Sequence, residues 1–119
     1  MTKEFATAFA EEWVTAWNSH DLNIILSHYS EDFSIESPLA LKRFPETKGT
    51  VVGKDNVRNY WTWGLENNPT LKFELLDLLI GVNSLTIYYI NTATSRKAVE
   101  VMSFNSDMKV DKAIVNYSE

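Results

Sequence analysis

At 119 residues, 45% of them hydrophobic and none cysteine, the chain has the length of one domain with a core of its own, and disulfides, thiol catalysis and thiolate metal sites are excluded. Its net charge of −5 argues against a nucleic-acid partner, which calls for a basic domain with a clustered cationic face. No run approaches the roughly 18 apolar residues of a membrane span, and the acids in the opening MTKEFATAFAEEW stand where a signal peptide needs an apolar stretch, so the expected location is the cytoplasm, away from membranes.

Phe5, Phe9, Trp13 and Trp17 recur every four residues, with Ala6, Ala10 and Ala16 beside them, which predicts an amphipathic helix over Lys3 to Trp17. Asn18 suits its end, and Asp21 the cap of a second helix whose apolar face is Leu22, Ile25, Leu26 and Tyr29. Phe33, Ile35 and Ser37 then alternate with Ser34 and Glu36 as a strand stopped by Pro38. Residues 38–54, with Pro38, Pro45, Gly49 and Gly53, read as a long loop holding a short strand at Thr50 to Val52. A third helix starts near Asp55, buries Val57, Tyr60, Trp61 and Leu65, stops at Asn67-Asn68-Pro69, and leaves Trp63 pointing away from its stripe.

Strands follow over about 71–80, 85–92, 97–104 and 109–117. The apolar phase slips at Leu75–Leu76, as a β-bulge would make it, and bulges bend sheets. Strand 85–92 is apolar on both faces, with Leu85, Ile87 and Tyr89 on one and Tyr88 and Ile90 on the other, so one face lines the core and the other wants a partner. The expected class is α+β: three N-terminal helices on the concave side of a strongly curved, mainly antiparallel sheet, with a pocket between the layers.

The segment from the first helix to the first strand, the helix entry Gly53-Lys54-Asp55-Asn56-Val57-Arg58-Asn59-Tyr60-Trp61 and the closing meander resemble the nuclear transport factor 2-like superfamily, most of all its SnoaL-like and ketosteroid isomerase-like branches. The resemblance implies a cone-shaped fold with a pocket at the wide end. It also implies a homodimer through the convex sheet, the habit of many members. It names no reaction, because the family holds isomerases, dehydratases, epoxide hydrolases, cyclases and members without known chemistry. In ketosteroid isomerases an Asp at the end of the first strand shuttles the proton, while a Tyr and a protonated Asp hold the oxyanion. Those positions fall here on Ser37, Trp13 and about Met102, none of which can replace them, so that chemistry is not expected.

The resemblance also places pocket aromatics at Tyr29 and Trp61. With Trp13, Trp17 and Tyr60 they suggest a pocket for a small, flat, hydrophobic molecule, against the plainer reading that they fill the cone. Glu100 shares a strand face with Ala98, Met102 and Phe104. Facing inward it would be a buried general acid or base, with Tyr29 as the second catalytic candidate; at the rim it would only be solvated. Asn116 and Tyr117 are candidate hydrogen-bonding groups of the pocket. His20, His28 and Glu36 read as capping or solvated groups, and Lys42, Arg43, Lys48, Lys54, Arg58 and Lys72 as a solvated rim. Neither a metal nor a cofactor is expected, since the two His lack a ligand spacing and Gly49 and Gly53 lack a phosphate cradle. The expected function is small-ligand binding in the cone. The alternatives are an isomerase-, hydrolase- or cyclase-type enzyme on a polyketide- or steroid-like substrate, and a dimeric interaction module working through the sheet or Trp63.

Overall fold

The computed structural model describes residues 1–119. Thr2 starts the first helix by accepting a hydrogen bond from the Phe5 amide, and α1 (Lys3–Ser19) buries Ala6, Phe9, Ala10, Trp13, Ala16 and Trp17 along one side. Asp21 caps α2 (Leu22–Leu26) through the Asn23 and Ile24 amides. That helix is only five residues long. Tyr29, expected on its apolar face, instead opens β1 (Tyr29–Glu36), where it pairs with Val110. An aromatic residue suits either setting, and the strand partner decides.

Residues 38–43 correct a second expectation. They form α3 (Pro38–Arg43), so the chain has four α-helices where three were expected. Ser37 caps this helix by accepting from the Leu39 amide at 3.2 Å, and Pro38 occupies the first turn, where a missing N–H leaves nothing unpaired. The Ser-Pro pair that ends the strand is therefore also a helix start. A 3-10 turn (Pro45–Thr47) and β2 (Thr50–Val52) follow. Gly49 and Gly53 flank that strand at φ of 91° and 90°, a region strained for any residue with a Cβ. Next comes α4 (Lys54–Glu66), which buries Val57, Tyr60, Trp61 and Leu65.

The remaining strands are β3 (Phe73–Ile80), β4 (Ser84–Asn91), β5 (Arg96–Phe104) and β6 (Val110–Tyr117). The six strands lie in the order β2-β1-β6-β5-β4-β3. All neighbours are antiparallel except β1 and β6, which run parallel. Between Leu75 and Asp77 the register slips and Leu76 is left out of the ladder, a bulge that helps curl the sheet around the helices. Asn18 pins the end of α1 to the start of β3: its side chain donates to the Phe73 carbonyl at 2.9 Å and accepts from the Phe73 amide at 2.7 Å.

The result is an open cone with helices on its concave side. Leu85, Ile87 and Tyr89 of β4, Ala98, Glu100 and Met102 of β5, and Ala113 and Val115 of β6 all point inward and are buried. On the outer face Tyr88 and Ile90 are half-buried, while Leu79 and Val101 are 55% and 36% exposed. No helix is long and apolar enough to cross a membrane.

Candidate functional site

The narrow part of the cone is packed shut. Trp13, Tyr29, Phe33 and Met102 are almost wholly buried. Trp13 Nε1 donates to the Tyr29 hydroxyl at 2.9 Å, and the Trp13 ring stacks on Phe73 with centroids 5.6 Å apart. Phe104 meets Phe5 and Phe9 edge-on. Trp13, Tyr29, Met102 and Phe104 thus fill the core instead of bordering a pocket, because the aromatic stripe of α1 lies directly against the sheet at their level. Tyr29 loses its place as a catalytic candidate with them.

Beyond these rings lies a chamber of about 80 Å³, lined by Trp17, Ser37, Tyr60, Trp61, Glu100 and Tyr117 among others. It has room for several water molecules or the end of a ligand. A wider vestibule of about 560 Å³ adjoins it. Leu39, Asn68, Leu71, Phe73, Tyr89 and Tyr117 border both spaces.

Glu100 dominates the chamber's chemistry. It lies between Ile87 of β4 and Val115 of β6 in the sheet, so its side chain points into the cone, where it is only 5% exposed. The Tyr89 hydroxyl donates to Oε2 at 2.8 Å, and the second carboxyl oxygen has no protein partner. Burial pushes the pKa of Glu100 up to about 7, with the Tyr89 hydrogen bond working against that rise. No cation offsets it, for the one Lys or Arg paired with a carboxylate is Lys54, beside Glu31.

The phenols around Glu100 are held neutral. Burial raises the pKa of Tyr29, Tyr60, Tyr89 and Tyr117, and the Glu100 charge raises each further. Tyr60 donates to Ser37 Oγ at 3.2 Å. The Trp17 indole packs edge-on against Trp61 with centroids 4.9 Å apart. It also favours the ionised form of the nearby Tyr29 hydroxyl, yet Trp17 Nε1 itself is buried without a hydrogen-bond partner of good geometry. A buried indole N–H in a chamber wall is a donor without its acceptor.

Several residues stand elsewhere than the sequence suggested. Asn116 is exposed on the outer face opposite Val99; strand alternation turns Val115 and Tyr117 inward, and their neighbour must face out. Trp63 does point away from the core stripe of α4, but it packs edge-on against Phe44 at 5.6 Å and forms a vestibule wall. Arg43, expected in a solvated rim, also borders the vestibule, because α3 brings it over the Trp63 ring. His20 ends α1 and lies 2.8 Å from the Leu71 carbonyl, His28 lies 3.4 Å from Glu12, and Glu36 is exposed. No three His, Asp or Glu side chains converge as a metal site would require. Tyr89, which the sequence places on the core face of its strand, is a further candidate site residue through its hydrogen bond to Glu100. Its signal was the inward phase Leu85–Ile87–Tyr89, one pair of strand positions from Glu100.

The SnoaL-like domain family matches residues 10–109. A SnoaL-like protein of unknown function from Burkholderia thailandensis is 42% identical, over 99% of this chain and 98% of that one, with a TM-score of 0.94. A candidate isomerase of the SnoaL-like family from Agrobacterium tumefaciens is 14% identical, over 96% and 97% of the two chains, with a TM-score of 0.74. The epoxide hydrolase/cyclase-like enzyme SalBIII, described in pyran ring formation of the polyether salinomycin, is 19% identical, over 98% and 92%, with a TM-score of 0.75. At such identities these last two share the fold. No curated protein matches the chain.

Proposed function

Because the chain belongs to the SnoaL-like family of nuclear transport factor 2-like proteins, we propose that it takes a small apolar, carbonyl-bearing molecule into the chamber and that Glu100 moves a proton on it. One observation carries this reading: a carboxyl buried without a cation, its pKa brought to about 7, stands in the wall of an unfilled chamber. Near neutral pH such a group is present in both forms, so it can take a proton and return it. The carboxylate removes a proton from the carbon beside the carbonyl, and the oxygen that gains charge accepts a hydrogen bond from the chamber's unpartnered neutral donor, Trp17 Nε1. Return of the proton at a second position completes an isomerisation; attack of the enolate carbon on a second, internal carbonyl instead breaks that C=O π bond, and Glu100 returns its proton to the new alkoxide to complete a cyclisation. Two proteins of the same fold carry the descriptions isomerase and cyclase-like, both reactions a single placed carboxyl can serve.

The test is deuterium exchange into 2-tetralone, a flat apolar ketone, followed by proton NMR in heavy water. The wild type is expected to speed exchange with a rate that rises through about pH 7, and Glu100→Gln to abolish the gain. Equal exchange with and without protein, or an unchanged rate in the variant, removes proton transfer from the reading. The outer sheet face supports a second copy of this chain as a partner, since Leu79 and Val101 stand exposed there beside the half-buried Tyr88 and Ile90.

A further inference from the structure

Two arginines face the vestibule, and nothing within the chain neutralises either of them. Arg43 closes α3 and sits over the Trp63 ring at 5.7 Å from its centroid. Arg96 opens β5 and sits over the Tyr117 ring at 4.6 Å, with Nε donating to the Ser118 carbonyl at 3.0 Å. The stacking orients each guanidinium while leaving its terminal nitrogens free, the arrangement in which arginine reads planar oxyanions. The chain carries 16 acids against 11 Lys and Arg, yet neither arginine has an acidic partner and no Asp or Glu lines the vestibule. The other polar lining comes from Asn67, Asn68, Asn91 and Thr94, whose side chains are neutral. An acidic protein has thus placed two unpaired cations at the mouth of a chamber whose inner end is apolar and carboxylic.

We propose that the vestibule recognises an acidic group, so that the ligand is an amphipathic small acid with its apolar, carbonyl-bearing end in the chamber and its carboxylate between Arg43 and Arg96. This deepens the ligand-pocket reading above and rests on it. The polarity also fits the interior: a carboxylate entering first would meet Glu100, so the two charged ends sort the ligand's direction.

The test compares 3-(2-naphthyl)propanoate with its neutral amide by isothermal titration calorimetry at low salt. The acid is expected to bind at least about tenfold more tightly, as one charge-assisted hydrogen-bonded contact supplies. Arg43→Gln and Arg96→Gln should each erase most of that preference, with circular dichroism reporting an intact fold. Equal binding of acid and amide refutes the acidic subsite and leaves the pocket standing. Binding of neither up to about 5 mM, a very weak affinity, removes both. A preference that survives the double substitution assigns it to other groups and overturns the proposal.

Discussion

The buried Glu100 carboxyl ties stability to pH, a dependence that Glu100→Gln should remove. In the unfolded chain the group titrates near its ordinary value of 4.5, and in the folded protein near 7. Between those values the native state holds a proton that the unfolded chain has released, so stability falls as pH rises through the window. The difference, 7 minus 4.5, corresponds to about 3 kcal/mol, fully retained below pH 4.5 and lost once pH passes 7. Gln keeps the shape and an oxygen for the Tyr89 hydroxyl while carrying no charge. The variant should therefore match the wild type within about 1 kcal/mol at pH 4 and exceed it by about 3 kcal/mol at pH 8.5, on the order of 10 °C in Tm for a domain of this size. Urea unfolding followed by tryptophan fluorescence across that range reads the difference, in which the titration of distant groups cancels. A gap between the two proteins that stays constant with pH would refute the reasoning. It would mean that the native carboxylate ionises as freely as in water, and the acid–base role of Glu100 would lose its physical basis.

Tyr89→Phe removes the donor that holds the Glu100 pKa down, so the carboxyl midpoint followed by carbon-13 NMR should climb. A midpoint that stays put or falls would show that the 2.8 Å contact does not favour the ionised form. On the outer sheet face, Leu79→Asp is expected to convert a dimer of this 13.6 kDa chain to a monomer in sedimentation at tens of micromolar, roughly the range of a stable interface. A wild type that already sediments as a monomer under those conditions removes the second copy from that face.

The architecture was legible because its signals are periodic. The four-residue spacing of Phe5, Phe9, Trp13 and Trp17 gave α1, and the phase slip at Leu75–Leu76 gave the bulge. Short elements were hidden because few residues carry too little periodicity: α2 stops at Leu26, and α3 is a single capped turn and a half whose Ser-Pro start reads equally as a strand stop. The site divides along the same line. Glu100's inward face followed from strand alternation once the sheet's concave side was known, and alternation also turns Asn116 outward. Which aromatics fill the cone and which leave space depends on ring contacts across elements, such as Trp13 on Phe73 or Trp17 on Trp61, and local sequence does not encode those. The vestibule was missed with α3, since Arg43 has a wall to belong to only when that helix exists.

The position of β6 has a consequence for how the molecule assembles. Residues 110–117 sit in the middle of the sheet, between β1 and β5, although they follow every other strand in sequence. During synthesis the β1–β2 pair and the β3–β4–β5 meander can each form a ladder early, but they share no backbone bond until β6 leaves the ribosome. Joining them demands contacts across some eighty residues, and such long loops slow folding. Ser37, after the first piece, and Glu100, in the second, are thus brought to face one space through β6, so the acid-bearing chamber depends on that strand's docking.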